Sequence, residues 1–222
     1  MTALIFDTEV NSLEAKEVIE LAYLGVHFFE GLIVCGEIST RRFKPTQPFD
    51  AGAVAVHGIC PADVAGCWDS ADATLPPSEY IIAHNVDFDA EVMKITDRKR
   101  ICTLALCRRL WPDFKSHTLS AMFLELFGMN RTNVAILKDA HSADTDVLIL
   151  MQILNRIIGT AEVYSMADLF SLSEICRIPT HMPFGKHRGT PLDELPRDYV
   201  GWLMRQDDVD QYLRKALAGR KI

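Results

Sequence analysis

Several features are missing from this sequence, and each absence excludes a class of protein. No run of about 18 apolar residues is present, so we predict no transmembrane helix and no membrane association. The first residues lack the basic start and apolar stretch of a signal peptide, which favours a cytoplasmic location. The six cysteines form no CxxC pair, which predicts reduced core residues rather than a disulfide framework. His57, Cys60 and Cys67 are near enough in sequence to raise a zinc site, but paired ligand spacing is missing.

Basic residues are in the minority, since 23 Lys or Arg face 30 Asp or Glu and the net charge is −7. This balance weighs against a generic nucleic-acid-binding surface. The segment 94–117 reverses the balance, and such a local basic face can serve a chain that is acidic overall. A solvated face explains the same charges equally well. The cations of this segment are Lys94, Arg98, Lys99, Arg100, Arg108, Arg109 and Lys115.

The order of apolar segments predicts an α/β fold with a mixed five-stranded sheet flanked by helices. Two long strands come first, and shorter strands then alternate with helices. We predict this domain over residues 1–159, a linker with a short helix over 160–180, and a small C-terminal module over 181–222. The predicted strands lie at 3–7, 18–29, 32–43, 79–85 and 100–106, and the predicted helices at 87–95, 119–128 and 142–158.

The stretch LIFDTEV, residues 4–10, carries two carboxylates off the end of an apolar strand. Side chains alternate faces along a strand, so Asp7 and Glu9 point the same way. Mg²⁺ and Mn²⁺ prefer such oxygen ligands, so the pair suits shared metal ions. A strand end that frays into solvent would also tolerate two acids, so this motif is weak in isolation.

A second acidic segment, AHNVDFDAEV, follows another apolar strand. It places His84 and Asn85 at the strand end and Asp89 in the first turns of the next helix. Asp87 is a rival to Asp89, because periodicity alone does not exclude it.

A third segment, HSADTD, opens the longest predicted helix. His141 and Asp146 would not share a helix face at this spacing, so we expect His141 to lie in the loop ahead of the helix. Asp146 falls on an apolar stripe, and a carboxylate that faces inward needs a cation or a hydrogen-bond donor. Asp144 is the rival at a neighbouring position.

The three segments together resemble the exonuclease motifs of the DEDDh family of 3′→5′ exonucleases. FDTE, HNVDFD and HSADTD occur in the family's order, and AVAVHGI at 53–59 resembles a segment between the first two motifs. ICTLALCRRLWP and the later FGKHRG resemble the bacterial exonuclease X branch. The resemblance covers residues 1–158 and implies a ribonuclease-H-like fold. It implies that the catalytic residues are Asp7, Glu9, Asp89, His141 and Asp146.

The resemblance also implies a chemistry and a substrate. Two divalent ions, Mg²⁺ with Mn²⁺ as a substitute, would be held by the four acids. His141 would be the general base that takes a proton from the attacking water. The implied activity is a 3′→5′ exodeoxyribonuclease that releases nucleoside 5′-monophosphates from single-stranded or duplex DNA 3′ ends, with a role in DNA repair.

Alternatives to this activity stay open. RNA is an open alternative substrate, because the motifs do not read the 2′-hydroxyl; an exoribonuclease on the same fold would carry the same acids. A non-catalytic nucleic-acid-binding or polymerase-associated module is a rival from another class. The oligomeric state is also open, a homodimer included.

The resemblance and the local pattern nominate a set of substrate-binding residues. Leu13 is a candidate wedge against the last base, or else it caps the local core. Val10 stands where many family members have Thr, which puts contacts to the substrate end in doubt. The candidates are Thr8, Val10, Leu13, His57, His84, Asn85, Phe88, Arg108, Lys186 and Arg188.

The C-terminal motif FGKHRG, residues 184–189, allows two interpretations. Its glycines could form a tight turn that presents Lys186 and Arg188 to phosphate, or the turn could close a hairpin over an aromatic mini-core. The stripe of Tyr199, Trp202 and Leu203 is more typical of core than of a base-stacking platform.

Overall fold

The computed structural model describes residues 3–29, 31–139 and 142–219. The chain divides into two compact units, Met1–Ser173 and Glu174–Ile222. The first unit contains all six strands of the sheet. The sequence places a linker over 160–180, and in the structure much of this segment is an 11-residue helix, Met166–Cys176.

A mixed sheet forms the centre of the first unit, with the order β4-β3-β2-β1-β5-β6. β1 pairs antiparallel with β2 and parallel with β5, while β3 pairs antiparallel with β2. The mixed α/β fold is confirmed, but the predicted count of five strands is wrong. The sixth strand, β4, is two exposed residues long and so carries no alternating apolar pattern. The strands are β1 Ala3–Val10, β2 Val18–Phe29, β3 Leu32–Lys44, β4 Trp68–Asp69, β5 Tyr80–Ala83 and β6 Lys99–Cys102.

Helices cover the sheet, and the longest, α7, packs against β1, β2 and β3. Its buried apolar residues recur at helical spacing, which explains why this segment folds as a helix on the sheet. No single helix in the described residues is long and apolar enough to cross a membrane; α7 and α8 meet that test only as a bent pair. The helices are α1 Ala51–His57, α2 Pro61–Val64, α3 Val86–Val92, α4 Thr103–Leu110, α5 Leu119–Phe127, α6 Arg131–Ile136, α7 Ala143–Ala161, α8 Met166–Cys176, α9 Arg197–Leu203 and α10 Gln211–Ala218.

The carboxyl end of β1 extends beyond one of its neighbours. β5 pairs with β1 only at Ala3, Leu4 and Ile5, so the residues of β1 after Ile5 have no strand partner on that side. On the other side, the register with β2 shifts between Glu9 and Val10. Such bulges bend a strand and re-aim its side chains, and they are frequent next to active sites.

The second unit is built on a short ribbon and two helices. The amide of Met182 donates to the carbonyl of Thr190, and the amide of Gly189 donates to the carbonyl of Met182. These bonds close the FGKHRG segment into a turn, the hairpin of the second interpretation. The core beneath it is mainly aliphatic and has Tyr199 packed against it, whereas Phe184 and Trp202 are exposed, so the expected aromatic mini-core is wrong for these two residues. Its buried residues are Met182, Leu192, Leu195, Leu203, Val209, Leu213 and Leu217.

Candidate active site

Three carboxylates from two elements converge at the end of β1. Asp7 and Glu9 lie on the same face of the strand, and Asp146 lies in the first turns of α7. One carboxylate oxygen from each lies within 4.8 Å of the others. The packing of α7 on β1 brings these residues together although they are more than 130 positions apart in sequence.

Asp89 joins this cluster through Thr8. The backbone amide and the hydroxyl of Thr8 donate to Oδ1 of Asp89 at 3.2 and 2.7 Å. The amide is available because β5 stops short of this part of β1. Asp89 therefore replaces a missing strand partner, which fixes its carboxylate beside Asp7.

The electrostatics of the cluster favour protonated acids when no cation is bound. Burial, then the charges of Asp89, Asp146 and Glu9, raises the pKa of Asp7 well above its ordinary value. Burial first and neighbouring acids second raise the pKa of Glu9 to about 8. Burial raises the pKa of Asp89 to about 7, although the hydrogen bonds from Thr8 lower it. A divalent cation would relieve this mutual repulsion.

The donor set fits hard divalent cations. All ligand atoms are carboxylate oxygens, which Mg²⁺ and Mn²⁺ prefer. No Lys or Arg among the described residues lies within ion-pair distance of Asp7 or Glu9. The negative charge of the cluster is therefore left for bound ions to neutralise.

The two rival acids lie outside this cluster. Asp87 pairs with Arg100 at 3.0 Å, and 47% of its side chain is exposed. Asp144 accepts hydrogen bonds from the Ser142 hydroxyl and from the amide of Thr145 at its own helix start. Each rival is thus engaged in a local structural contact.

The predicted general base, His141, falls outside the described residues, so its role stays a prediction. The described helix α7 begins directly after Ser142, with Ala143 as its first residue.

Glu20 is a site residue that the sequence reasoning missed. It is opposite Glu9 on β2 and is 3% exposed. One carboxylate oxygen accepts from Nε of Arg42 at 2.8 Å, and the other accepts from the amide of Ala143 at 2.9 Å. Glu20 therefore holds the first turn of α7, the turn that carries Asp146. A charged residue inside the apolar strand VIELAYLGV was the signal that could have revealed it.

An open groove of about 980 Å³ lies beside the acid cluster, between the end of β1 and α1. A volume of this order suits a ligand the size of a nucleotide. Leu13 is 73% exposed, which excludes the alternative that it caps a local core. The groove brings together five of the predicted substrate-binding residues, Thr8, Val10, Leu13, His57 and Phe88, and Glu9 of the cluster.

Asn11 joins the two walls of this groove, and the sequence reasoning missed it as well. Its side-chain amide donates to the carbonyls of Gln47 and Pro48 at 3.2 and 2.9 Å. Its Oδ1 accepts from the amide of Glu17 at 3.0 Å, which closes the loop that carries Leu13. Asn11 is fully buried, so these bonds are screened from water and set the width of the groove.

His84 is engaged inside the protein. Burial lowers the pKa of His84 to about 4, so the ring is neutral and has one N–H. Nε2 lies 2.7 Å from the carbonyl of His117, which can only accept, so Nε2 carries the proton. Nδ1 lies 3.1 Å from the Thr103 hydroxyl, whose single proton also faces the carbonyl of Ala83 at 3.2 Å. Asn85 has a φ of 83° and starts α3 without a side-chain cap. Substrate contacts by His84 and Asn85 stay predictions, as do substrate contacts by Arg108, Lys186 and Arg188.

The basic segment 94–117 is partly used by the fold itself. Arg98 donates to two backbone carbonyls, Lys99 pairs with Glu79 at 2.8 Å, and Arg100 pairs with Asp87. These contacts favour the interpretation of this segment as a solvated face over its interpretation as a nucleic-acid-binding surface. The exposed cations of the segment are Lys94, Lys99, Arg108, Arg109 and Lys115.

The zinc alternative finds no support in the structure. In the described part of the chain, Asp7, Glu9 and Asp146 are the only group of three or more His, Cys, Asp or Glu close enough to share an ion. His57 instead accepts from the amide of Ile59 at 3.0 Å.

Comparisons with known proteins agree with this geometry. The sequence is 30% identical to exodeoxyribonuclease 10 of Escherichia coli strain K12 over 227 residues, 96% of each chain. A structure of exonuclease X in complex with 5′-overhanging duplex DNA matches 76% of this chain and 99% of that one, with 27% identity and a TM-score of 0.59. E. coli exonuclease I in complex with a dA16 oligonucleotide matches 81% of this chain and 44% of that one, at 19% identity and a TM-score of 0.56, which supports the fold. A protein-family model described as "Putative quorum-sensing-regulated virulence factor" matches residues 171–214.

Proposed function

The chain belongs to the exodeoxyribonuclease 10, or exonuclease X, family, and on that premise we propose that it degrades DNA in the 3′→5′ direction. The products would be nucleoside 5′-monophosphates. One observation carries the proposal: Asp7, Glu9 and Asp146 bring carboxylate oxygens within 4.8 Å of one another beside an open groove. Asp89 extends this cluster through its bonds to Thr8.

We propose that these four acids hold two divalent metal ions, Mg²⁺ or Mn²⁺. When bound, such ions lower the pKa of water and stabilise the negative charge that develops on the phosphate and on the leaving oxygen. Burial of the carboxylates in a rigid strand and a helix start keeps their geometry fixed before the substrate arrives.

The remaining residues of the site would bind the substrate and move a proton. His141 would accept a proton from the attacking water, because an imidazole with an ordinary pKa of about 6.5 is suited to that task near neutral pH. Leu13, exposed at the rim of the groove, would pack against the terminal base, a contact that tolerates every base. Glu20 and Asn11 act as positioning residues, on α7 and on the groove walls respectively.

The test uses two single-stranded oligonucleotides of one sequence, one DNA and one RNA, each labelled at the 5′ end. With Mg²⁺, a 3′→5′ exonuclease gives a ladder of labelled fragments that shortens with time, whereas a 5′→3′ enzyme releases the label at once. We expect the ladder on DNA, its loss with EDTA, and its return with Mn²⁺. Degradation of the RNA oligonucleotide alone would contradict the proposed DNA substrate but leave the assignment of the acid cluster as the active site unchanged.

A matched pair of variants ties the activity to the cluster. Asp146→Asn removes an acid of the cluster, and Asp144→Asn removes the neighbouring acid that lies outside it. We expect the first to abolish the ladder and the second to retain it. Equal activity in both variants would refute the role given to the cluster.

A further inference from the structure

The second unit presents aromatic rings and cations on one surface, which we call the aromatic–basic face and define by Lys186, His187, Tyr199 and Trp202. The ring centroids of His187 and Tyr199 are 4.4 Å apart, and those of Tyr199 and Trp202 are 5.6 Å apart in a stacked arrangement. Nζ of Lys186 lies 5.7 Å from the Tyr199 centroid. The face thus joins the FGKHRG turn to α9.

The geometry of the turn depends on two glycines. Gly185 and Gly189 have φ values of 68° and 81°, a region that disfavours other residues. A Cβ at Gly185 would also lie 3.6 Å from the Tyr199 hydroxyl, so the turn approaches α9 closely there. The turn therefore holds Lys186 and His187 against Tyr199 without a long flexible loop.

The two cations of this turn, Lys186 and Arg188, are exposed. Within residues 174–219, Lys186 and Arg188 form no ion pair with an acid. By contrast, Arg177 pairs with Glu174 and Arg214 donates to three backbone carbonyls, so these two stabilise the unit. The charge on the turn is therefore open to a ligand.

Two aromatic rings of the second unit, Trp202 and Phe184, lie largely outside its core, whereas Tyr199 packs against it. Trp202 is 48% exposed and Phe184 is 46% exposed, whereas the core of the unit consists of Met, Leu and Val side chains. The expectation that Trp202 belongs to a core with Leu203 is therefore wrong for Trp202 and correct for Leu203, which is 1% exposed. A large exposed ring next to uncompensated cations combines the two features that single-stranded nucleic acid requires.

We propose that the aromatic–basic face binds single-stranded DNA, with bases stacked on Trp202 and phosphates on Lys186 and Arg188. The exposed cations of the turn and the exposed Trp202 ring together select this occupant, because single-stranded DNA offers both phosphates and unpaired bases. The charge of the unit as a whole does not select it, since residues 174–219 hold seven Lys or Arg against seven Asp or Glu. The proposal rests on the proposed function for its choice of DNA as the ligand. It adds a second binding site, which raises the effective concentration of DNA at the first because both belong to one chain.

The test measures binding in the full chain with Asp7→Asn as the parent, so that the probe stays intact. The probe is a 5′-fluorescent oligo-dT of 30 nucleotides, followed by anisotropy at several salt concentrations. We expect Trp202→Ala to weaken binding about 5- to 20-fold, since a stacked base is lost. The double variant Lys186→Ala/Arg188→Ala should reduce the slope of log affinity against log salt by about 1.4, the value for two phosphate contacts on a single strand.

Matched controls separate the face from general effects. Trp68→Ala removes an exposed tryptophan of the first unit that lies 5.0 Å from the Arg41 guanidinium, and we expect unchanged binding. Lys215→Ala removes an exposed cation of the same unit on α10, and we expect less change in slope than from either turn cation. Trp202→Phe retains a ring and should bind like the parent, which keeps the test valid if Trp202→Ala unfolds the unit.

The outcomes distinguish this inference from the proposed function. Equal binding by the parent, Trp202→Ala and Lys186→Ala/Arg188→Ala overturns it, and so does equal weakening by Trp68→Ala. If these variants lose as much affinity for a blunt 30-base-pair duplex as for the oligo-dT, the assignment of the face to single-stranded DNA is overturned. Without the Asp7→Asn substitution, the ladder assay reports the nuclease separately. A ladder with unaltered binding refutes only this inference, and weakened binding without a ladder refutes only the proposed function.

Discussion

The two units of this protein place their charge in opposite ways. The first unit has 14 Lys or Arg against 23 Asp or Glu and buries part of its negative charge in one cluster at the end of β1. The second has nine against seven, and two of its cations, Lys186 and Arg188, are exposed on a turn. Buried like charges require a small ion that fits inside, whereas exposed cations suit a long polyanion outside. Whether a charge is buried or exposed thus indicates which kind of ligand it can bind.

The contacts that hold the charged side chains in place also differ between the units. The acids lie on a central strand and a long helix, and Thr8 and Glu20 fix their positions through buried hydrogen bonds. The turn that carries Lys186 and Arg188 depends on two left-handed glycines, and Lys186 lies against the ring of Tyr199. We therefore expect large effects from changes in the first unit and smaller effects from changes in the second.

The largest effect is expected from Asp7→Asn. Activity with Mg²⁺ should fall at least about 1000-fold, because metal-ion catalysis supplies several kcal/mol of the barrier reduction. In EDTA the same variant should unfold at a higher temperature than the parent, because one of several repelling acids is gone. Initial rates and thermal melts of the same preparations measure both effects.

The matching control is Glu91→Gln, which removes an exposed acid of α3 that pairs only with Lys16. Its rate should stay within about twofold of the parent and its melting temperature should hardly change, since surface ion pairs contribute little. Destabilisation by Asp7→Asn in EDTA would contradict the idea that the cluster is held under repulsion.

Much of the first unit was predictable from sequence, because its signals are local. The bounds predicted for β2 agree with the structure, and Gly128 follows the end of α5 as expected. The DTE motif fixed the face shared by Asp7 and Glu9. The apolar stripe and the motif favoured Asp146, and the structure places it in the cluster; periodicity alone left Asp144 open, because the choice depends on how α7 rotates on the sheet.

The next effect concerns Glu20, which touches no substrate. Glu20→Ala should lower activity about 10- to 100-fold, the usual range for groups that orient metal ligands. Glu20→Gln retains an oxygen acceptor for the Ala143 amide and should recover part of the loss. The Mg²⁺ concentration for half-maximal rate should rise in Glu20→Ala, a change that a general loss of stability would not produce. An unaltered Mg²⁺ requirement would contradict the positioning role.

A smaller effect is expected in the dependence of stability on pH without metal. The folded-state pKa values of Glu9 and Asp89, about 8 and about 7, lie above their ordinary values, so the folded state retains protons that the unfolded state releases. Stability in EDTA should therefore fall as pH rises from 6.5 to 8, by about 2 kcal/mol for Glu9. His84 opposes this fall weakly: its folded-state pKa of about 4 lies below its unfolded value of about 6.5, so its burial costs less as pH rises over the window, by about 0.4 kcal/mol. Denaturant melts at three pH values measure this change.

Saturating Mg²⁺ should remove most of that fall, because bound ions replace the protons. Glu9→Gln should show a shallower fall in EDTA than the parent. A stability that rises with pH over this window would contradict the arrangement of buried, mutually repelling acids.

The smallest effect is expected where the second unit contributes. Trp202→Ala should leave kcat/KM on a four-nucleotide DNA nearly unchanged and lower it several-fold on a 40-nucleotide DNA, because a four-nucleotide strand bound at the acid cluster has no nucleotides left for a second site. Parallel rate measurements on the two lengths test this. Equal losses on both lengths would indicate a defect in the catalytic unit instead.

The second unit was less predictable than the first. The apolar stripe of Tyr199, Trp202 and Leu203 indicated core, yet only Leu203 is fully buried. In a short unit the core is small, and aliphatic residues distant in sequence fill it before the tryptophan does. Periodicity identifies an apolar face, but it does not give the area that is available to cover that face.

Calorimetric titration of Mn²⁺ into the metal-free protein tests whether the acid cluster is the metal centre. We expect about two ions bound per chain, with release of protons that grows smaller as pH rises above 8, and loss of most of the binding in Asp7→Asn. Binding of Mn²⁺ to Asp7→Asn with the affinity and stoichiometry of the unaltered chain would contradict the assignment of the acid cluster as the metal centre.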